Sequence, residues 1–248
     1  LKIVRFLYEG AEYKGRIESD SVTGSLSGKT ERSFGLDEIK LLPPVRPSKI
    51  VCVGLNYFDH AEELGMNVPD EPVIFLKPVS SLIGAYDRIM HPTVSDRVDF
   101  EGELAVVIGK EARKVAPLAA KGYILGYSCF NDVTARDLQK KDGQWTRSKS
   151  YDTFAPLGPC VDTDIDPEDL EIKTLINGNI RQFSRTSNLI FSVEKLVSFI
   201  SNVMTLFPGD VIATGTPGGI GPMGIGDKVV VKIEGVGELE NTVYQDDL

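Results

Sequence analysis

Histidine and cysteine are scarce in this 248-residue chain, at two and three copies, and tryptophan occurs once. Cys52, Cys129 and Cys160 are odd in number and scattered through apolar, strand-like runs, which excludes a disulfide framework. They read as buried thiols in a reducing compartment. Basic residues are outnumbered, 27 Lys and Arg against 36 Asp and Glu, leaving a net charge of -9. That balance argues against a nucleic-acid surface, because phosphate binding needs a basic patch to displace counterions. A small-molecule partner is expected instead. Long hydrophobic runs are also missing. The best membrane candidate, residues 189–207, is broken by Glu194 and Lys195 and repeats its apolar residues at helical spacing, so it reads as an amphipathic helix. The opening Leu1-Lys2-Ile3-Val4-Arg5 does not read as a signal peptide, and the expectation is a cytoplasmic protein.

What the chain does have is enough apolar residue, 42%, to bury a full core. Its first forty or so residues alternate apolar and polar, with Gly10, Gly15 and Gly24 as turn points, predicting a small β-rich unit over residues 1–46. Pro43, Pro44 and Pro47 then favour an extended linker, and a second domain is expected over 47–248. In it, strands are predicted at 49–54, 73–76, 103–108, 123–130, 170–176, 211–213, 228–233 and 237–243. Helical spacing is confined to 57–64, with Asn56 as N-cap and Gly65 as stop, to 133–140 and to 192–204. Strands without regular intervening helices predict a mainly β, α+β fold rather than a doubly wound parallel sheet.

Asp99-Phe100-Glu101-Gly102-Glu103 opens a strand that then becomes wholly apolar. Residues two apart on a strand share a face at roughly 6.6 Å of rise, so both glutamates can bend toward one cation. Gly102 leaves the opposite face open to close packing. Two buried like charges need something positive between them. Asp132 follows the apolar run 122–130 and precedes a helix, a position where loop residues commonly assemble sites. An all-carboxylate set suits a hard ion, Mg²⁺ or Mn²⁺ first and Ca²⁺ next, rather than zinc. On spacing alone, the same acids also fit a solvated strand edge and a helix N-cap.

His60 and Glu63, three apart on the short helix, share a face and have the spacing of a general-base dyad, though also that of a surface pair. His91 has no such partner. Lys77 and Lys149 are cations beside apolar runs that could neutralise a substrate carboxylate or an enolate. The glycines Gly219, Gly221 and Gly224 match a dinucleotide-binding pattern, but a strand follows where a helix should, and no nicotinamide cofactor is expected. The stretch Thr214-Gly215-Thr216-Pro217-Gly218-Gly219 could instead offer amides and hydroxyls to a carboxylate.

Taken in order, Val53-Gly54-Leu55-Asn56-Tyr57 with His60 and Glu63, Phe75-Leu76-Lys77-Pro78, Asp99 to Leu104, Phe130-Asn131-Asp132-Val133-Thr134-Ala135-Arg136-Asp137-Leu138-Gln139, residues 149–158 and Thr214 to Gly219 resemble the fumarylacetoacetate hydrolase family. The resemblance runs from about residue 49 onward. It implies a mixed β-roll, a Mg²⁺ or Mn²⁺ on Glu101, Glu103 and Asp132, a homodimer, and substrates with a 2-oxo acid or 1,3-dicarbonyl group. By it, His60 and Glu63 activate water or move a proton on a lid, and Lys149 supports the metal site and a developing enolate. Arg136 and Gln139 line the pocket, Thr216 holds a carboxylate, and Lys77 belongs with the substrate contacts. The large tyrosine-degrading members carry a fourth metal-binding acid where this chain has Val53, so the chain looks more like the compact prokaryotic isomerases, decarboxylases and acylpyruvate hydrolases.

The chemistry this implies is enolate stabilisation on a 2-oxo or 2-hydroxydienoic (di)carboxylate, ending in C–C hydrolysis, decarboxylation or isomerisation. Selectivity is expected from side chains around residues 60–70 and 140–150. The alternative is a non-catalytic module that binds a metal and a carboxylate on the same fold.

Overall fold

The computed structural model describes residues 1–18, 21–26 and 30–246. It begins with a meander, β1 (Lys2–Tyr8), β2 (Ala11–Glu18), β3 (Ser21–Ser25) and β4 (Arg32–Gly35), and a short β5 (Lys40–Leu42) that pairs back to β1. After the proline-rich link come β6 (Ile50–Gly54), helix α1 (Phe58–Leu64) and β7 (Val73–Lys77). The middle holds β8 (Leu82–Ile83), β9 (Arg88–His91), β10 (Val98–Phe100), β11 (Gly102–Ile108), β12 (Ile124–Asn131), β13 (Thr134–Ala135), α2 (Arg136–Asp142), α3 (Thr146–Lys149) and β14 (Ala155–Asp162). The last third holds β15 (Glu171–Ile176), β16 (Asn179–Arg185), α4 (Val193–Val203), β17 (Val211–Ala213), β18 (Gly221–Pro222), β19 (Lys228–Ile233) and β20 (Gly237–Gln245).

The largest sheet runs β4-β3-β2-β1-β14-β12-β11-β17-β6-β7, a second runs β16-β15-β19-β20-β9, and β13-β10-β18 form a small third. Most neighbours are antiparallel, but β17 with β6 and β20 with β9 are parallel, so the architecture is mixed and mainly β as expected. Strand β11 is buried at every residue, which explains why its sequence is a continuous apolar run instead of an alternation. The second sheet closes over the first: Leu104, Val106 and Cys129 share one hydrophobic cluster with Ile172, Val231 and Leu239. Helix α4 adds Leu196, Val197 and Ile200 to that cluster, with the Ser192 hydroxyl accepting the Lys195 amide as N-cap. None of the described helices is long and apolar enough to cross a membrane.

The N-terminal meander is continuous with the main sheet. Ile3 of β1 pairs with Val161 of β14, and Val4, Phe6, Tyr13 and Phe34 belong to the same cluster as Leu104. Asn56, expected to cap α1, does something else. Its side chain donates to the Thr214 carbonyl at 2.7 Å and accepts the Phe191 amide at 2.8 Å, pinning the segment before α1 to two distant loops. Tyr57 occupies the N-cap position without a side-chain cap, while Gly65 ends the helix in the left-handed conformation as predicted.

Candidate active site

Glu101 lies at the junction of β10 and β11, and Glu103 is the second residue of β11. Asp132 follows β12, which pairs with β11 so that Gly102 faces Asn131. Two bonds tie the junction: the Asn131 side chain accepts the Glu101 amide at 3.0 Å, and the Glu101 carbonyl accepts the Asp132 amide at 2.8 Å. Gly102 must be glycine here. A Cβ on it would stand 2.1 Å from the Thr174 hydroxyl, and its amide donates to Gln182 at 3.0 Å while its carbonyl accepts the Thr216 hydroxyl at 2.9 Å. The back of the junction is therefore closely packed, with the amide and carbonyl of Gly102 both hydrogen-bonded, and the front gathers three buried carboxylates with ligand oxygens within 4.8 Å of one another.

Two lysines and an arginine offset this charge. Lys149 Nζ, buried at the end of α3, donates to Glu101 Oε2 at 2.8 Å and Asp132 Oδ2 at 2.7 Å. Lys77 Nζ donates to the other Asp132 oxygen at 2.5 Å and to the Val133 carbonyl at 3.0 Å. Arg136 bridges Asp99, at 2.9 Å, and Glu101. Burial alone pushes the Glu101 carboxyl up, but Lys149 and Arg136 outweigh it and hold the group down at about 2. Lys149 is shifted the other way: burial lowers it, and the Asp132 and Glu101 carboxylates more than reverse this.

Glu103 differs from its neighbours. It makes no ion pair among the described residues, and its hydrogen bond is from the Gly215 amide at 2.8 Å. Burial, then Asp132 and Glu101, pushes its carboxyl well above the usual range. A buried carboxylate facing two others, with no cationic side chain of its own, is what a divalent cation compensates, and oxygen donors alone select a hard one. The residues present fit Mg²⁺ or Mn²⁺.

The cluster forms part of the wall of a cavity of about 390 Å³, within the usual range for small-molecule sites. His60 lines it too, with Nδ1 3.1 Å from Glu63 Oε2. Helix α1, which carries both, is held from below by a glycine pair. The Gly219 amide donates to Glu63 at 3.1 Å, the Gly218 amide to Asp59 at 3.3 Å, and the Ser184 hydroxyl to Asp59 at 2.5 Å. Three amides of the 214–219 loop, those of Gly215, Gly218 and Gly219, thus serve the protein's own carboxylates, Glu103, Asp59 and Glu63, where a substrate carboxylate was expected.

Residues 49–244 match the family model described as "Fumarylacetoacetate (FAA) hydrolase C-terminal". The chain belongs to the fumarylacetoacetate hydrolase family. A solved 5-carboxymethyl-2-hydroxymuconate delta-isomerase from Mycobacterium smegmatis superposes with a TM-score of 0.93 at 46% identity, covering 100% of both chains. A maleylpyruvate hydrolase from Sphingobium sp. SYK-6, solved with manganese (II) ion and pyruvate, gives 0.87 at 31% identity, again over 100% of both chains. The Rattus norvegicus protein "Oxaloacetate tautomerase Fahd2a, mitochondrial" is 44% identical over 82% of this chain and 68% of its own length. The family's members include isomerases, hydrolases and tautomerases, and the mainly β, mixed-sheet fold is that of its C-terminal domain.

Against this family frame, the structure brings Glu101, Glu103, Asp132, Lys149, His60, Arg136, Gln139 and Thr216 to one cavity, with Val53 also on its wall. Glu63 stands behind His60. Lys77 does not line the cavity either: its ammonium is committed to Asp132 Oδ1 and the Val133 carbonyl. Thr216 is on the wall, but its hydroxyl hydrogen is committed to Gly102. Sequence reading missed Trp145, which packs edge-on against Phe75 at 5.2 Å and lies where a Cβ on Gly54 would meet it at 2.7 Å. A glycine ending an apolar strand and a lone tryptophan were the available signals. Asp59 and Gln182 carried none, and Asp99 stood in the acidic motif without a role of its own.

Proposed function

We propose that this protein is a divalent-metal-dependent enzyme acting on a 2-oxo or 2-hydroxydienoic (di)carboxylate through the enolate of its 2-oxo group. The observation that carries the reading is the convergence, on one cavity, of three buried carboxylates and the His60 imidazole. Glu101, Glu103 and Asp132 would hold the ion. A bound Mg²⁺ or Mn²⁺ supplies Lewis acidity toward the 2-oxo oxygen. Lys149 fixes Glu101 and Asp132 and carries positive charge beside the position where enolate charge develops. Glu63 accepts from Nδ1 of His60, leaving Nε2 as the site that takes or gives a proton, either from water for C–C hydrolysis or at substrate carbon for isomerisation. The relatives support the substrate class: the Sphingobium hydrolase was solved with pyruvate and manganese, and the rat relative is named for oxaloacetate.

The same reading expects a homodimer, which sedimentation tests directly. Incubating the protein with a panel of 2-oxo acids under Mg²⁺ and then Mn²⁺, with products identified by mass, tests the activity. Metal-dependent conversion of at least one acid is expected. Tight binding of such acids with no product on prolonged incubation would favour a non-catalytic binding module.

A further inference from the structure

The cations around the cavity are committed to protein carboxylates, with one exception. Lys149 is buried between Glu101 and Asp132, and Arg136 is bonded to Asp99, Glu101 and Gln139. Lys140 also lines the cavity, is exposed, and has no ion pair or hydrogen bond among the described residues. It lies on α2 four residues after Arg136, so the two share a helix face with about 6 Å of rise between their Cα atoms. Arg136 touches the carboxylate cluster at the cavity's buried end, which places Lys140 one turn further out, toward solvent. The helix stops two residues later, where Gly143 takes a left-handed conformation and turns the chain toward Trp145. Leu64, Met66, Phe75 and Trp145 supply apolar wall to the same cavity.

Buried hard-ion ligands, an apolar stretch and an uncommitted exposed ammonium together make a cavity with two anion-binding ends. We propose that Lys140 receives the far carboxylate of a substrate whose 2-oxo acid end lies at Glu101, Glu103 and Asp132, so that the site selects dicarboxylates over monocarboxylates of the same length. The inference rests on the 2-oxo acid reading above and adds the residue that reads the substrate's other end. In it, Lys140 is a specificity determinant and takes no part in the proton transfer assigned to His60. An exposed lysine keeps its hydration until a ligand arrives, and a charge-assisted hydrogen bond to a carboxylate then favours the dianion by on the order of tenfold or more.

The test uses the full chain loaded with Mn²⁺ and calorimetric titration with matched acids: 2-oxoglutarate against 2-oxopentanoate, and 2-oxoadipate against 2-oxohexanoate. In the wild type, at least one dicarboxylate is expected to bind about tenfold or more tightly than its monocarboxylate partner. Lys140→Met should reduce that ratio to within about twofold without changing affinity for the monocarboxylate or for Mn²⁺, and Lys140→Arg should retain it. An unchanged ratio in Lys140→Met, or equal wild-type affinity for both members of each pair, overturns the assignment while leaving the 2-oxo acid reading intact. If none of the four acids binds the wild type, the 2-oxo acid reading falls and the Lys140 assignment falls with it.

Discussion

His60 Nδ1 lies 3.1 Å from Glu63 Oε2, and the same Glu63 carboxylate accepts the Gly219 amide at 3.1 Å. The imidazole is therefore oriented by a group that is itself fixed to the loop carrying Thr216, which lines the same cavity as the carboxylates. In the proposed function this coupling, more than the presence of a histidine, is what would let α1 move a proton. Replacing His60 with alanine should lower kcat by about 10²–10⁴-fold, the usual range for losing a positioned acid–base group. Glu63→Gln keeps the shape but loses the carboxylate and should fall between wild type and His60→Ala. Steady-state kinetics beside Mn²⁺ titration check both, since metal affinity is expected to stay the same. Equal loss of metal affinity would make the pair structural.

Lys77 was expected to touch substrate, and the structure gives it a different task. Lys77→Met leaves Asp132 Oδ1 and the Val133 carbonyl without their buried partner, and breaking a buried ion pair costs about 3–5 kcal/mol. Urea unfolding should show that loss without added metal, with part of it recovered at saturating Mn²⁺ because the ion binds only the folded form. A variant as stable as wild type would contradict the placement of Lys77.

Gly102 makes the two-glutamate junction possible. Gly102→Ala drives a methyl into the Thr174 hydroxyl, an overpacking expected to cost about 1–3 kcal/mol. Because the junction also sets the spacing of Glu101 and Glu103, Mn²⁺ affinity should fall together with stability. Paired thermal melts and metal titrations of the variant report both quantities.

These residues show what was legible in the sequence. The acidic trio was readable because β11 is a single apolar strand whose first residues break the pattern with charge, and because Gly102 advertised a close approach. The β-rich class was readable from strands 211–213 and 228–233, which match their observed bounds. Lys77 was misread because nothing along a strand distinguishes a lysine turned inward to a carboxylate from one turned outward. Strand β14 was not anticipated, since Pro156 and Pro159 argue against an interior strand. It holds its place between β1 and β12 with a register shift between Tyr127 and Cys129. Asn56 failed as a cap because its partners, Phe191 and Thr214, lie far along the chain.

Asp210 gives a pH dependence separate from the candidate active site. Its buried carboxylate accepts the amides of Ser48, at 2.8 Å, and Phe207, at 2.8 Å, and pairs with Lys49, anchoring the end of the proline-rich link. Burial raises this carboxyl, but the hydrogen bonds from Lys49, Phe207 and Ser48 outweigh it and leave it below the ordinary aspartate value. The unfolded chain therefore binds its proton first. The stabilisation is full above about pH 4 and fades as pH falls through the lower folded-state value. Asp210→Asn should be less stable than wild type at pH 7, and the gap should narrow in urea titrations below pH 4. A gap that widens on acidification contradicts the sign.

The assignment of a divalent ion to the three carboxylates is tested most directly by calorimetric titration of Mn²⁺ into the wild type and Glu103→Gln. That substitution keeps an acceptor for the Gly215 amide and removes the carboxylate that has no cationic partner among the described residues. One ion per chain in the wild type, with affinity reduced by at least about tenfold in a folded Glu103→Gln, is the expected result. No binding to the wild type, or identical stoichiometry and affinity in the variant, would contradict the assignment.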